Sequence, residues 1–175
     1  IFVAVRSSAT TEDLDDASFA GQQETYLNVK GNDDLLEKVK TVFASLFTAR
    51  AIYYRKKKGF ANEKFALAVV VQKMVDSDKS GVMFSSNPVK NNDHIVIEAV
   101  FGLGEGIVSG KIKPDKYELT RDLEITEKSV ANKKKAMVRN SQGEVETIPL
   151  NEEKSKTQVL EEGEIKTLAN HAIKI

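Results

Sequence analysis

Three features near the start of the sequence have the residue types of a phosphate site. Arg6 ends an apolar stretch over residues 1–6, residues 17–22 read Ala-Ser-Phe-Ala-Gly-Gln, and Thr25 follows in the next predicted strand. Small residues let backbone N–H groups face an anion, and the planar arginine fork binds phosphate through two hydrogen bonds. The group therefore predicts a polyphosphate site. A surface hairpin in which Arg6 pairs with Glu12 or Asp13 fits the spacing equally well.

A second candidate lies where an apolar stretch over residues 65–75 turns polar at Gln72 and Lys73, just before Met74 and Val75. We interpret this as a strand broken at residues 72–73. Backbone N–H and C=O groups at such a break could pair with the edge of an adenine, and Met74 could pack on its ring. An ordinary core strand that leaves its sheet has the same pattern.

Glu98 follows a predicted buried strand and precedes the glycine-rich residues 102–106. A lone carboxylate there could bind magnesium through oxygen, although a cap or an internal salt bridge is commoner. The glycines match neither standard phosphate loop and predict a tight turn from strand to helix. His94 and His171 stand apart, and each is interpreted as a structural or surface histidine.

Further charged residues lie in the second half of the chain. Asp115 follows Pro114 and predicts a turn. A basic series occupies the following region, at Lys128, Lys133, Lys134, Lys135 and Arg139. Acidic residues are interleaved with it and aromatic residues are few, so we predict a solvated hairpin and not a nucleic-acid surface.

Hydrophobic periodicity places these residues on predicted elements. An apolar stripe over residues 34–57 predicts one amphipathic helix, and residues 162–175 predict a second. Strands are predicted at 1–6 and 65–75, and hairpins at 117–130 and 136–148, the latter with a turn at 141–143. No regular alternation of strands and helices is present, so the pattern indicates an α+β fold with mixed or antiparallel sheets.

Composition limits the classes of function. The 175 residues hold 26 Lys+Arg and 26 Asp+Glu, so no net charge steers the protein to nucleic acid or to an anionic membrane. The absence of cysteine excludes disulfides, thiol catalysis and cysteine-ligated metals. The longest apolar stretch, at residues 65–71, is too short to span a bilayer. We expect a cytoplasmic protein with neither nucleic acid nor membrane as a partner.

Several motifs, in order along the chain, resemble the phosphoenolpyruvate synthase family, specifically its ATP-grasp nucleotide-binding domain, which is related to that of pyruvate phosphate dikinase. The first is long and covers residues 3–29, including Val-Arg-Ser-Ser-Ala and Ala-Ser-Phe-Ala-Gly-Gln-Gln-Glu-Thr. The others are Gly-Val-Met-Phe-Ser-Ser-Asn-Pro at 81–88, Glu-Ala-Val-Phe-Gly-Leu-Gly-Glu at 98–105, Val-Ser-Gly at 108–110 and Pro-Asp-x-Tyr at 114–117. The resemblance weakens after Lys128, and Asp15 stands where the family commonly has proline.

The resemblance implies a role for each matching residue. Arg6 is expected to contact the terminal phosphates of ATP as the catalytic arginine, and Thr25 to approach the nucleotide. The loop over the phosphates is expected at Ser18, Phe19, Ala20 and Gly21, and the adenine hinge at Gln72, Lys73, Met74 and Val75. It also implies an ATP-grasp-like domain that is incomplete at both ends, with a first lobe at 1–79 and part of a second at 80–175.

The family reaction, as the resemblance implies it, uses ATP and Mg²⁺. The β-phosphoryl group passes to a histidine on a swivelling domain and then to pyruvate on a third domain, giving phosphoenolpyruvate, AMP and phosphate. The phosphohistidine and pyruvate-binding domains of the parent chain are therefore the expected partners.

The resemblance also implies two phosphate- and metal-binding motifs outside residues 1–175. A Gly-Gly-Lys motif is expected upstream of Ile1, and an Asp-x-Glu-Trp motif with the main magnesium ligands is expected beyond Ile175. The chain alone is therefore expected to be inactive.

Two alternatives remain open at this point. A parent protein with the same fold could phosphorylate another acceptor, such as the antibiotic rifampin or a glucan, although the long match at residues 17–25 favours the pyruvate enzyme. The chain could also be a non-catalytic nucleotide-binding module.

Overall fold

A computed structural model describes residues 1–9, 13–14, 17–18, 25–57 and 66–175. It confirms the predicted α+β class with antiparallel sheets. The chain divides into two compact units, residues 1–75 and residues 76–175. Each unit has buried residues of its own, as described below.

The first unit contains strands β1 (Val3–Ala9), β2 (Asp13–Leu14), β3 (Ala17–Ser18), β4 (Thr25–Val29) and β5 (Leu67–Lys73), and helices α1 (Asn32–Ser45) and α2 (Ala49–Lys57). Strand β1 is the centre of an antiparallel sheet in the order β4-β1-β5, and β2 pairs with β3. Helix α1 covers one face of the larger sheet, where Val5, Val29 and Val42 form the core. Burial of these apolar side chains is what holds the helix to the sheet.

The second unit contains β6 (Lys79–Phe84), β7 (Ile95–Phe101), α3 (Glu105–Val108), β8 (Asp115–Leu119), β9 (Ile125–Ser129), β10 (Lys135–Arg139), β11 (Val145–Pro149), α4 (Glu152–Lys156) and α5 (Glu162–Lys174). Strands β6 to β9 form an antiparallel sheet in chain order, and β10 pairs with β11. Helix α5 buries Ile165, Ala169 and Ala172 among residues of the sheet such as Ile97 and Tyr117.

The predicted hairpins and the C-terminal helix are confirmed, since β8–β9, β10–β11 and α5 occupy those segments. The prediction of one helix over residues 34–57 was wrong, because α1 ends at Ser45 and α2 starts at Ala49. The Ser45 hydroxyl donates to the Val42 carbonyl oxygen at 2.6 Å, and the Thr48 hydroxyl accepts from the Ala51 N–H at 3.3 Å. Side chains that bond to nearby backbone in this way end one helix and begin the next.

The predicted break at residues 72–73 was also wrong. Strand β5 continues through Lys73, with Gln72 opposite Ala4 and Lys73 opposite Val3 in β1. Polar side chains do not interrupt a strand when they lie on an exposed part of the sheet, and both residues are exposed. Likewise β1 extends to Ala9, beyond the predicted strand end at residue 6.

Candidate functional site

Arg6 lies in the central strand of the first sheet, between Thr25 of β4 and Val70 of β5. Side chains directly opposite one another in antiparallel strands lie on the same face. Arg6, Thr25 and Val70 are all exposed on that face, Val70 with 43% of its surface accessible. The structure therefore brings two predicted phosphate-site residues together and adds an apolar neighbour that the sequence analysis did not single out.

Alternation along β1 explains why Arg6 is exposed. Val5, the residue before it, is fully buried against α1, where Val42 is fully buried as well. Successive side chains of a strand point to opposite faces. The helix therefore covers one face of the sheet, and Arg6 is on the other.

Thr25 shares the face of Arg6 because β4 contains a bulge. Val29 lies opposite Val3 and Tyr26 lies opposite Val5, so three steps along β4 match two steps along β1. Asn28, inside the bulge, has a φ of 58°. Without the extra residue, Thr25 would have the same parity as Val29 and would point to the core.

Gln72 joins this group from β5. It lies opposite Ala4, two residues before Arg6 in β1, and so has the same parity as Arg6. Its side-chain oxygen accepts a hydrogen bond from an Arg6 guanidinium nitrogen at 3.4 Å, a long distance for such a bond. A predicted hinge residue is thus in contact with a predicted phosphate residue.

The outer edge of β5 has backbone N–H and C=O groups of the kind that the predicted adenine hinge would use. The Met74 N–H donates to the Phe2 carbonyl oxygen at 2.9 Å, which makes Met74 and Phe2 a hydrogen-bonded pair. Bonded and non-bonded pairs alternate in an antiparallel ladder, so the N–H and C=O groups of Val71 and Lys73 point away from β1. Within the described residues no strand pairs with this edge.

The other predicted nucleotide residues are placed as follows. Lys73 has the parity of Val3 and Val5, so its exposed side chain is not on the Arg6 face. Met74 is half-buried and Val75 is exposed. Ser18 ends β3, opposite Asp13 of β2. Phe19, Ala20 and Gly21 lie outside the described residues.

Glu98, the weak magnesium candidate, is half-buried in β7 with Val82 and Lys116 as its cross-strand neighbours. A lysine beside a single carboxylate opposes a divalent cation. Across the described ranges, three or more aspartate, glutamate or histidine side chains do not gather into a group that could hold a metal. These residues do not fit a magnesium site.

The main magnesium ligands are expected beyond Ile175, and that expectation stays a prediction. Ile175 directly follows α5 and has 95% of its surface exposed. Its own side chain is a hydrocarbon and has no atom that could coordinate a cation.

The glycine-rich stretch is a structural turn. Gly102 follows β7 with a φ of 79°, and a Cβ on it would meet the Met137 carbonyl oxygen. The Leu103 N–H donates to that same oxygen at 2.7 Å, and α3 begins at Glu105. This is the tight turn from strand to helix that the sequence predicts.

The prediction of a turn at Asp115 was wrong, and the prediction of a solvated basic series was wrong at Lys133, whereas Lys128, Lys134 and Lys135 are exposed as expected. Asp115 is the first residue of β8 and is fully buried, and its carboxylate accepts hydrogen bonds from the Lys133 ammonium group, the Ala131 N–H and the Val159 N–H. Lys133 is only 1% exposed and does not belong to a solvated hairpin. Sequence patterns do not show which member of a lysine run has a buried carboxylate as its partner.

Glu118 is the centre of a second charge network. Its side chain is buried, and it contacts the Lys90 ammonium group at 2.7 Å and His94 Nδ1 at 2.9 Å. Hydrogen bonding to Lys90 lowers the pKa of Glu118 to about 2, with His94 and Asn87 acting in the same direction against the effect of burial. His94 is thus a structural residue, as predicted.

Comparison with known proteins shows which family this chain belongs to. The model of the pyruvate phosphate dikinase AMP/ATP-binding domain matches residues 1–175. The chain belongs to this family. The ATP-grasp-like fold predicted from the sequence motifs is therefore confirmed, and the exposed face of the first sheet lies in a nucleotide-binding domain.

Curated relatives of this domain family are much longer than the chain. A probable phosphoenolpyruvate synthase of Archaeoglobus fulgidus is 55% identical over 168 residues, which are 96% of this chain and 22% of the relative. The phosphoenolpyruvate synthase of Pyrococcus furiosus is 57% identical over 80% of this chain and 17% of its own length. A rifampicin phosphotransferase of Bacillus cereus is 46% identical over 95% of this chain and 19% of its own length. The chain thus spans about a fifth of the length of these relatives.

Among the described residues, no helix has the length and apolar character needed to cross a bilayer.

Proposed function

We propose that this domain binds ATP on the exposed face of the sheet β4-β1-β5, with the adenine at the outer edge of β5 and the phosphates near Arg6. The observation that carries the proposal is the shared face of Arg6, Thr25 and Gln72, beside backbone groups of β5 that no strand among the described residues pairs with. Membership in an AMP/ATP-binding domain family supports it.

The parent protein, we propose, is a phosphoenolpyruvate synthase that converts ATP, pyruvate and water to AMP, phosphoenolpyruvate and phosphate. The β-phosphoryl group travels through a phosphohistidine on another domain of the same chain. Relatives of that name at 55% and 57% identity support the assignment. A reaction that consumes ATP and pyruvate suits the cytoplasm, which is where we place it.

The chain's own residues supply charge and orientation to this reaction. The Arg6 guanidinium would neutralise negative charge on the terminal phosphates, and the Thr25 hydroxyl would donate to a phosphate oxygen. Backbone N–H and C=O groups of Val71 and Lys73 would hydrogen-bond to the adenine edge, and Met74 and Val75 would line the base. The loop over the phosphates is proposed to be formed by Ser18, Phe19, Ala20 and Gly21.

Magnesium is proposed to accompany ATP, because phosphoryl transfer depends on neutralising the phosphate charge and a divalent cation supplies much of that neutralisation. The described residues do not fit a magnesium site, so none of them is assigned as its ligand and no step is derived through the ion. Its main ligands are proposed to lie in the parent chain beyond Ile175.

The decisive experiment measures pyruvate-dependent AMP formation by the full-length protein that carries this sequence. Arg6→Ala should lower turnover by about 10²- to 10³-fold, the range seen when one preorganised donor to a transition state is removed. Arg50→Ala, which removes an exposed arginine of α2, is the matched control and should leave turnover unchanged. Normal turnover in Arg6→Ala would refute the role of Arg6.

A second acceptor is worth testing because the Bacillus cereus rifampicin phosphotransferase is 46% identical over most of the chain. The same assay with rifampicin in place of pyruvate separates the two. AMP formation that depends on rifampicin alone would replace the pyruvate assignment. Nucleotide binding without AMP formation with pyruvate, rifampicin or a glucan would indicate a non-catalytic module.

A further inference from the structure

We infer that Gln72 is a positioning residue for Arg6: its side chain holds the Arg6 guanidinium toward the phosphates. The backbone of β5, the strand that contains Gln72, provides the edge that binds the adenine. The inference rests on the proposed function and goes beyond it, because the hinge assignment of Gln72 concerns the adenine.

The Gln72 backbone is bonded to β1 and does not face the outer edge of β5. Gln72 and Met74 have the same parity, and the Met74 N–H bonds to Phe2 in β1. The N–H and C=O groups of Gln72 therefore point inward to Ala4, and those of Val71 and Lys73 point to the outer edge of β5. Gln72 cannot serve the adenine edge through its backbone without breaking the sheet ladder.

The Gln72 side chain, by contrast, reaches Arg6. It lies on the Arg6 face, and its oxygen accepts from Arg6 at 3.4 Å. Among the described residues, Gln72 is the side chain that accepts a hydrogen bond from Arg6. Arg6 itself is exposed, and an exposed arginine without a partner samples many rotamers. A neighbour that restricts these rotamers lowers the entropy lost when phosphate binds.

The group that accepts from Arg6 is a neutral amide oxygen. A guanidinium has five N–H donors, and one amide oxygen uses a single donor and leaves the others for phosphate oxygens. The amide is neutral, so it orients the cation and leaves its charge in place. A carboxylate at this position would form a charge-assisted bidentate pair with Arg6 and compete with the phosphates.

The test compares two ligands in the full-length protein: AMP, and α,β-methylene-ATP, from which AMP cannot be released. The variants are Gln72→Leu, Gln72→Glu, Arg6→Ala and the double variant Gln72→Leu with Arg6→Ala. Gln142→Leu, at an exposed glutamine in the β10–β11 turn, is the matched control. Calorimetric dissociation constants and the melting temperature are measured for each.

If Gln72 acts through Arg6, Gln72→Leu should weaken the triphosphate by about three- to tenfold, the range of one net hydrogen bond, and AMP by less than about twofold. Gln72→Glu, which preserves the size of the side chain, should weaken the triphosphate further. In the Arg6→Ala background, Gln72→Leu should have no additional effect.

Three results would overturn the inference: equal losses for AMP and the triphosphate, which would assign Gln72 to the base; additive losses in the double variant; or no loss at all. Failure of the proposed function looks different. In that case the unmodified protein binds neither ligand, or Arg6→Ala leaves triphosphate binding intact.

Discussion

Asp115 and Lys133 show how single residues can bind distant parts of the second unit together. The Asp115 carboxylate contacts the Lys133 ammonium group and accepts from backbone N–H groups at residues 131 and 159, each at 2.8 Å. The Tyr117 hydroxyl donates to the same carboxylate at 3.2 Å and accepts from Leu160 N–H at 3.3 Å. Burial raises the pKa of Tyr117 to about 12, so this hydroxyl keeps its proton at neutral pH.

Removing the lysine cation from this cluster should lower the free energy of unfolding. Lys133→Met leaves a fully buried carboxylate without its counter-charge, which typically costs about 3–5 kcal/mol. We expect faster amide hydrogen exchange in peptides that contain Ala131 and Val159. Lys134→Met replaces an exposed neighbour of the same type and should leave exchange unchanged. Equal behaviour of the two variants would contradict the structural role of Lys133.

Glu118 makes a pH-dependent contribution to stability. Its pKa falls from 4.5 to about 2 in the folded protein, chiefly through the hydrogen bond from Lys90. A carboxyl whose pKa is lowered by folding stabilises the protein fully above the unfolded value, and this contribution is lost as pH falls toward the folded value. The relevant window is therefore between about pH 4.5 and pH 2.

The amide variant isolates this contribution. Glu118→Gln should lower the melting temperature at about pH 7, and the difference from the unmodified protein should shrink as pH falls from 4.5 to about 2. Glu124→Gln, at an exposed glutamate near β9, is the control and should follow the unmodified protein at every pH. A difference that persists undiminished at the acidic end of this window would show that the lost stability does not come from the ionised carboxylate.

At the scale of the elements, the sequence predicts most strands and helices but not the details that place the site. Periodicity identifies α5 and both hairpins correctly, because their apolar positions face one core. Periodicity wrongly predicts α1 and α2 as one helix, because the apolar stripe continues across Ser45 and Thr48. The side chains of these two residues bond to nearby backbone, and that interruption is not visible in the apolar pattern. The common face of Arg6 and Gln72 depends on strand register, which periodicity does not contain.

The bulge in β4 is the clearest case of an element that the sequence does not reveal and the site requires. Asn28 adopts a φ of 58° there, a conformation that asparagine and glycine tolerate and β-branched residues do not. Asn28→Val should remove the bulge or destabilise β4, and ATP binding by the full-length protein should fall along with the exposure of Thr25. Asn28→Gly should retain binding. If the valine variant binds ATP as tightly as the glycine variant, the bulge does not position Thr25.

At the scale of the whole molecule, balanced charge and a nucleotide site are compatible. The chain has no net charge, yet Arg6 is exposed, and its hydrogen-bond partner among the described residues is a neutral amide. A domain that binds one small anion needs a few well-placed donors, whereas a nucleic-acid surface needs an extended basic field. The neutral composition supplies no such field over the chain as a whole, and it has no bearing on a site for one small anion.

The two units bury separate cores, and this leads to a prediction for the whole chain. Val42 belongs to the cluster of the first unit and Val100 to a cluster of the second, and both are fully buried. Truncating either valine to alanine removes packing that only its own cluster shares. In the full-length protein, Val42→Ala should therefore speed amide exchange in β1, β4 and α1, and Val100→Ala should do so in β7 and β10. If each truncation increased amide exchange equally in both units, the two cores would unfold as one cooperative body. The division after Val75 would then not separate two units of independent stability.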